Sequence, residues 1–98
     1  MTKFGFPQYV LDEIIDVLRQ FPEIKTAKIF GSRAKGNYKR YSDIDIAIFA
    51  DTQKDISGSV LYKLDDLYVI YNFDVAHYEH ISNAEMKAHI DRVGVDIL

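Results

Sequence analysis

Apolar residues recur near the start of the chain at the spacing of a helix. Val10, Leu11, Ile14, Ile15, Val17, Leu18 and Phe21 fall on one stripe, which predicts an amphipathic helix over residues 8–20, ended by Pro22. The period then shortens. Thr26 to Phe30 reads as a strand broken by Gly31-Ser32, followed by a short helix over residues 32–37 with Ser32 as N-cap and Gly36-Asn37 as its stop. Residues 44–50 form the most apolar strand pattern in the chain. Within Ser42–Phe49 (SDIDIAIF), Ile44, Ile46 and Ile48 take one face, while Asp43, Asp45, Ala47 and Phe49 take the other. Ser57-Gly58-Ser59 opens a helix carrying Val60, Leu61, Leu64 and Leu67 on one side. Alternation over residues 68–78 predicts a third strand, with Phe73 and Val75 on one face and Asp74 and Ala76 on the other. Ser82 with Glu85 makes a capping box for a last helix, Gly94 sits at the C′ position, and residues 95–98 read as a short final strand. This order predicts an α/β fold of the α+β type, a sheet with helices packed against it.

Length and composition narrow the classes. At 98 residues the chain is expected to form one domain over residues 1–98, and its 48% hydrophobic and 28% charged residues are ordinary for a globular protein. No apolar run is long enough to cross a bilayer, and the first residues lack the apolar core of a signal peptide. The absence of cysteine excludes disulfides and thiolate metal sites and fits a reducing cytoplasm. A net charge of −3 argues against a general electrostatic grip on nucleic acid.

The placement of charge says more than its sum. Arg33, Lys35, Lys39 and Arg40 are four of the twelve basic residues and fall within eight positions, directly before Asp43 and Asp45. A basic loop running into a carboxylate pair suits a ligand that carries both phosphate and metal, although a solvated loop has the same composition. In a strand Asp43 and Asp45 project to one side, roughly 7 Å apart along the chain. Two such carboxylates repel each other and gain nothing from burial. A hard divalent cation removes the conflict; an exposed strand end tolerates it. Gly31 and Ser32, between a strand and a helix, suit close approach of the backbone to an anion, and also suit a plain turn. Asp74, inside the predicted third strand, would bring a third carboxylate to the same place if its strand lies beside the Asp-x-Asp strand in matching register. Three carboxylates suffice to hold two metal ions and accept a proton from an attacking hydroxyl.

GSRAKGNYKRYSDIDIAIF, with Gly-Ser, ten intervening residues and Asp-x-Asp, resembles the signature of the DNA polymerase β-type nucleotidyltransferase superfamily. In its short form the chain resembles the minimal nucleotidyltransferase (MNT) proteins, and the order of elements and the ending HIDRVGVDIL extend the likeness over most of its length. The resemblance implies a small mixed sheet and a set of functional residues. Gly31 and Ser32 would hold the triphosphate of a nucleotide, with Arg33 and Lys35 of the motif core neutralising phosphate charge. Asp43 and Asp45 would bind two Mg²⁺ ions, and Asp74 would be the third metal ligand and the activator of the acceptor hydroxyl. Asp65 and Asp66 compete for that last role, but both fall on a predicted helix. Lys39 and Arg40 are expected as surface residues, and His77, His80 and His89 as surface or partly buried polar residues without metal-ligand spacing.

Stand-alone MNT proteins are typically encoded beside a HEPN-domain RNase toxin and act as its antitoxin by transferring AMP from ATP to a toxin tyrosine. The resemblance therefore implies an adenylyltransferase with a HEPN partner, with ATP as substrate, with two Mg²⁺ and without direct nucleic-acid binding. Two other readings share the motif. One is an MNT-like subunit that neutralises its partner by contact alone; the other is an enzyme that nucleotidylates a small molecule at a site shared between subunits.

Overall fold

The computed structural model describes residues 1–98. Its elements are α1 (Gln8–Leu18), β1 (Ile24–Phe30), α2 (Gly31–Lys35), β2 (Ile44–Ala50), α3 (Ser57–Asp65), β3 (Phe73–His77), a 3₁₀ turn (Tyr78–His80), α4 (Ala84–Val93) and β4 (Val95–Asp96). The strands form one mixed sheet in the order β3-β2-β1-β4. Strand β1 runs antiparallel to both β2 and β4, and β2 runs parallel to β3. A parallel pair needs a crossover rather than a hairpin, and α3 supplies it between β2 and β3. The expected α/β architecture with a small mixed sheet is the one observed.

Alternation along β2 divides the molecule into two layers. Ile44, Ile46 and Ile48 are fully buried in a cluster with Val10, Ile14 and Leu18 of α1 and Val60 and Leu64 of α3. Burying one such side chain stabilises by roughly 1.5–3 kcal/mol, so this layer anchors the sheet. On the opposite face Ala47 and Phe30 pack with Ile90 of α4, and Phe49, Ala76 and Tyr78 lie beside them. The small side chain of Ala47 lets α4 close over the centre of that face. No helix is long and apolar enough to cross a membrane.

Several boundaries differ from the sequence expectation, each for a local reason. Strand β3 covers residues 73–77 rather than 68–78, because its partner β2 begins at Ile44 opposite Phe73, leaving earlier residues no strand to pair with. Tyr68 and Ile70 in that stretch are exposed. Strand β1 starts at Ile24, extended past a register shift to meet Ala50. Helix α2 starts at Gly31, so Ser32 lies inside its first turn and is not the N-cap; Gly36 ends it with φ +91°, as its position suggested. Asn83, not Ser82, caps α4, its side chain accepting hydrogen bonds from the backbone N–H groups of Glu85 and Met86. Gly94 has φ −61° and is not a left-handed terminator. A Cβ there would press on the Ile90 carbonyl and the Lys28 side chain, so close packing is what favours glycine.

His77 corrects the expectation of a surface or partly buried residue: it is buried beneath the far end of β2. Its Nδ1 accepts from the Ile56 backbone N–H at 3.2 Å, which leaves the proton of the neutral ring on Nε2, donated to the Ala50 carbonyl at 2.7 Å. The ring thereby ties the end of β2 to the start of α3. His80 is exposed and His89 half-buried.

Candidate active site

Strand pairing brings together residues that lie up to forty-three positions apart, from Gly31 to Asp74. Antiparallel pairing of β1 with β2 sets Phe30 opposite Asp45, and parallel pairing of β2 with β3 sets Asp45 opposite Asp74. Gly31 follows Phe30 directly, and Asp43 precedes β2 by one residue. These residues therefore meet at one end of the sheet, on the face that carries Ala47 and α4. Asp43 and Asp74 are exposed, Asp45 is half-buried, and no pocket encloses them. The isoleucines between them hold β2 in the opposite layer, which fixes the side to which Asp45 points.

Gly31 has φ +69°, and a Cβ on it would overlap the Asp45 carboxylate. Both facts require glycine: the backbone conformation disfavours other residues, and the approach of the carboxylate leaves no room for a side chain. The turn between β1 and α2 thus lies directly against Asp45. Burial pushes the Asp45 carboxyl up from its ordinary 3.8 to about 6, helped by repulsion from Asp74 and then Asp43 and opposed by the Arg33 charge. That repulsion marks the three aspartates as one electrostatic unit. Ser32 is half-buried in the first turn of α2, and Lys35 is exposed at its end. Asp65 ends α3 and Asp66 caps it, both exposed and outside the β2–β3 register.

Residues 12–98 match the family described as Polymerase beta, Nucleotidyltransferase. The chain belongs to that nucleotidyltransferase family. No curated protein matches its sequence. Among solved structures, it is similar to a toxin–antitoxin crystallised with AMP-PNP, at TM-score 0.77 and 24% identity over 90% of this chain and 72% of that one. A crystal structure of the toxin–antitoxin MntA-HepT aligns at TM-score 0.71 with 21% identity, covering 94% of this chain and 72% of the other. The tri-AMPylated Shewanella oneidensis HEPN toxin in complex with MNT antitoxin aligns at TM-score 0.72 with 21% identity, covering 93% and 71%. At such identities the likeness is one of fold.

In a nucleotidyltransferase of this family, Arg33 has a position that the sequence did not suggest. Its side chain is buried, with 1% exposure, and its guanidinium faces backbone carbonyls in place of solvent. Nη1 donates to the Phe4 carbonyl at 2.9 Å, Nε and Nη2 donate to the Ser42 carbonyl at 3.0 and 2.9 Å, and Nη2 reaches the Arg40 carbonyl at 3.4 Å. Tyr38, Tyr71 and Phe6 surround it at 5.1, 5.1 and 5.7 Å from the ring centroids. The expected phosphate contact from Arg33 is therefore corrected: its donors hold the loop before Asp43 against the N-terminal segment. Phe4, Phe6 and Tyr71 escaped the sequence reading because nothing in their spacing links them to position 33.

The donor chemistry of the site fits a hard divalent cation. All three candidate ligands are carboxylates, and Asp45, raised by burial first and then by Asp74 and Asp43, is a charge that a cation would stabilise. The side chains do not already close on one point: no group of three His, Cys, Asp or Glu stands at metal-holding distance.

Proposed function

We propose that this chain is a protein adenylyltransferase that transfers AMP from ATP to a tyrosine of a HEPN-domain toxin and thereby acts as its antitoxin. The observation that carries this reading is the register that sets Asp45 opposite Asp74, with Gly31 lying against Asp45. The likeness to folds crystallised with AMP-PNP and with a tri-AMPylated HEPN toxin supports the choice of nucleotide and partner. The exposure of Asp43 and Asp74 also suits an acceptor delivered by another protein.

Gly31 and Ser32 present backbone N–H groups and a hydroxyl to the triphosphate, with Lys35 adding positive charge. Asp43, Asp45 and Asp74 would hold two Mg²⁺ ions, whose charge would offset that of the phosphates. Asp74, exposed at the sheet edge, takes the proton from the acceptor hydroxyl as it attacks the α-phosphorus, and pyrophosphate leaves. Arg33 positions the loop that carries Asp43.

The test is transfer itself. The purified chain is incubated with Mg²⁺, labelled ATP and the protein encoded beside it, proposed to be of the HEPN type, and the partner's mass is measured. The expected gain is one or more AMP groups on a tyrosine, abolished by Asp43→Asn or Asp45→Asn. An unmodified partner that is still neutralised by the Asp43→Asn/Asp45→Asn variant would replace catalysis with binding alone.

A further inference from the structure

One residue beside the site has no part in the mechanism above. Tyr41 lies two positions before Asp43, and its side chain is 77% exposed. An exposed aromatic in a loop ordinarily comes with a mobile backbone, but here the backbone is clamped on both sides. The buried Arg33 guanidinium donates to the carbonyls of both neighbours, to Arg40 at 3.4 Å and to Ser42 at 2.9 and 3.0 Å. Within the loop, the Ser42 N–H donates to the Lys39 carbonyl at 3.0 Å, and the Lys39 N–H donates to the Ser42 hydroxyl at 2.8 Å. The turn of residues 39–42 is thus closed on itself and pinned to the core, and Tyr41 is the side chain it presents to solvent.

The surroundings of Tyr41 suit a nucleotidylated product. The Arg40 guanidinium lies over its ring at 5.5 Å from the centroid and has no carboxylate partner. A phosphodiester formed on the Tyr41 hydroxyl would find a cation beside it. Other exposed tyrosines lack this combination. Tyr9 and Tyr62 sit on α1 and α3, which pack on the opposite layer from Asp45, and Tyr68 lies in the loop before β3 with no cation over its ring.

We propose that Tyr41 is a self-modification site, accepting a nucleoside monophosphate from the nucleoside triphosphate bound by this or a second copy of the chain. This rests on the nucleotidyltransfer reading above. The Tyr41 oxygen attacks the α-phosphorus, so an O–P bond forms while the bond from Pα to the β-phosphate oxygen breaks. Pyrophosphate leaves with the electron pair, the phenolic proton passes to a site carboxylate or water, and nothing is oxidised or reduced.

The experiment uses the full chain with Mg²⁺ and ATP, in parallel reactions with and without the HEPN partner, read by intact mass and peptide mapping. The expected result is one AMP per chain at Tyr41, lost completely in Tyr41→Phe and in Asp43→Asn. Tyr41→Phe removes only an exposed hydroxyl, and its circular dichroism and denaturation midpoint should match the wild type. A partner carrying AMP while Tyr41 stays bare would overturn the inference and leave the proposed function standing. AMP on Tyr41 with a bare partner would uphold the inference and remove the toxin as acceptor. AMP on neither protein, or on Tyr68 or Tyr62 in place of Tyr41, would overturn the self-modification site.

Discussion

Replacing Asp45 by Asn should make the metal-free protein more stable while destroying its activity. The carboxyl is raised from 3.8 to about 6 by burial, Asp74 and Asp43 in that order, so the fold disfavours its charged form. At about 1.36 kcal/mol per pH unit the shift corresponds to roughly 3 kcal/mol, which solvent screening at this half-exposed position reduces to about 1–2 kcal/mol. The sign follows from proton linkage. A raised carboxyl binds its proton more tightly when folded, so the penalty is fully present above pH 6, shrinks as the pH falls from 6 to 3.8, and vanishes below that, where both states are protonated. Asp45→Asn carries no such penalty at any pH. Urea denaturation in EDTA should therefore show the variant about 1–2 kcal/mol more stable at pH 8, with the difference closing by pH 4 and the m-value unchanged. Added Mg²⁺ should raise the wild-type midpoint and leave the variant unmoved, because only the wild type gains binding free energy in the folded state. A variant no more stable than the wild type at pH 8, or stabilised equally at pH 4 and pH 8, would refute the reasoning.

Two further predictions concern the residues that shape the site. Gly31→Ala should cost at least about 1–2 kcal/mol for its left-handed backbone, plus the overlap with the Asp45 carboxylate. The cost should drop to the backbone part alone when measured in an Asp45→Ala background; equal costs in both backgrounds would mean that the carboxylate is not what Gly31 makes room for. Arg33→Lys cannot span the carbonyls of Phe4, Arg40 and Ser42 together, and should lose roughly 2–3 kcal/mol in urea denaturation, with faster amide exchange in residues 39–42. Weaker nucleotide binding at unchanged stability would instead return Arg33 to the phosphate-contacting role that its place in the motif suggested.

The apolar periods of this chain were enough to place its helices and strands, because each element must bury one stripe or one face. That is why Ile44, Ile46 and Ile48 marked the core strand, and why the other face was left to Asp43 and Asp45. The spacing of Gly31-Ser32 from that pair pointed to nucleotide chemistry through its resemblance to a nucleotidyltransferase signature, and that signature is legible because it is a short contiguous run. Ends of elements were less legible where they depend on a partner. Strand β3 begins only at Phe73 because β2 begins at Ile44, and the α4 cap fell to Asn83 rather than its neighbour Ser82. The sequence also offered no means of separating Asp74 from Asp65 and Asp66 beyond their predicted elements. Only the pairing of β2 with β3 sets Asp74 opposite Asp45, because register is a relation between strands and is written in neither one alone. The same holds for Arg33, whose motif position resembles a phosphate contact. Its guanidinium turned inward because the carbonyls of Phe4, Arg40 and Ser42 and a ring of aromatics converge on it from distant parts of the chain. Local chemistry is carried by adjacent residues; the convergence that makes a site of it is decided by packing.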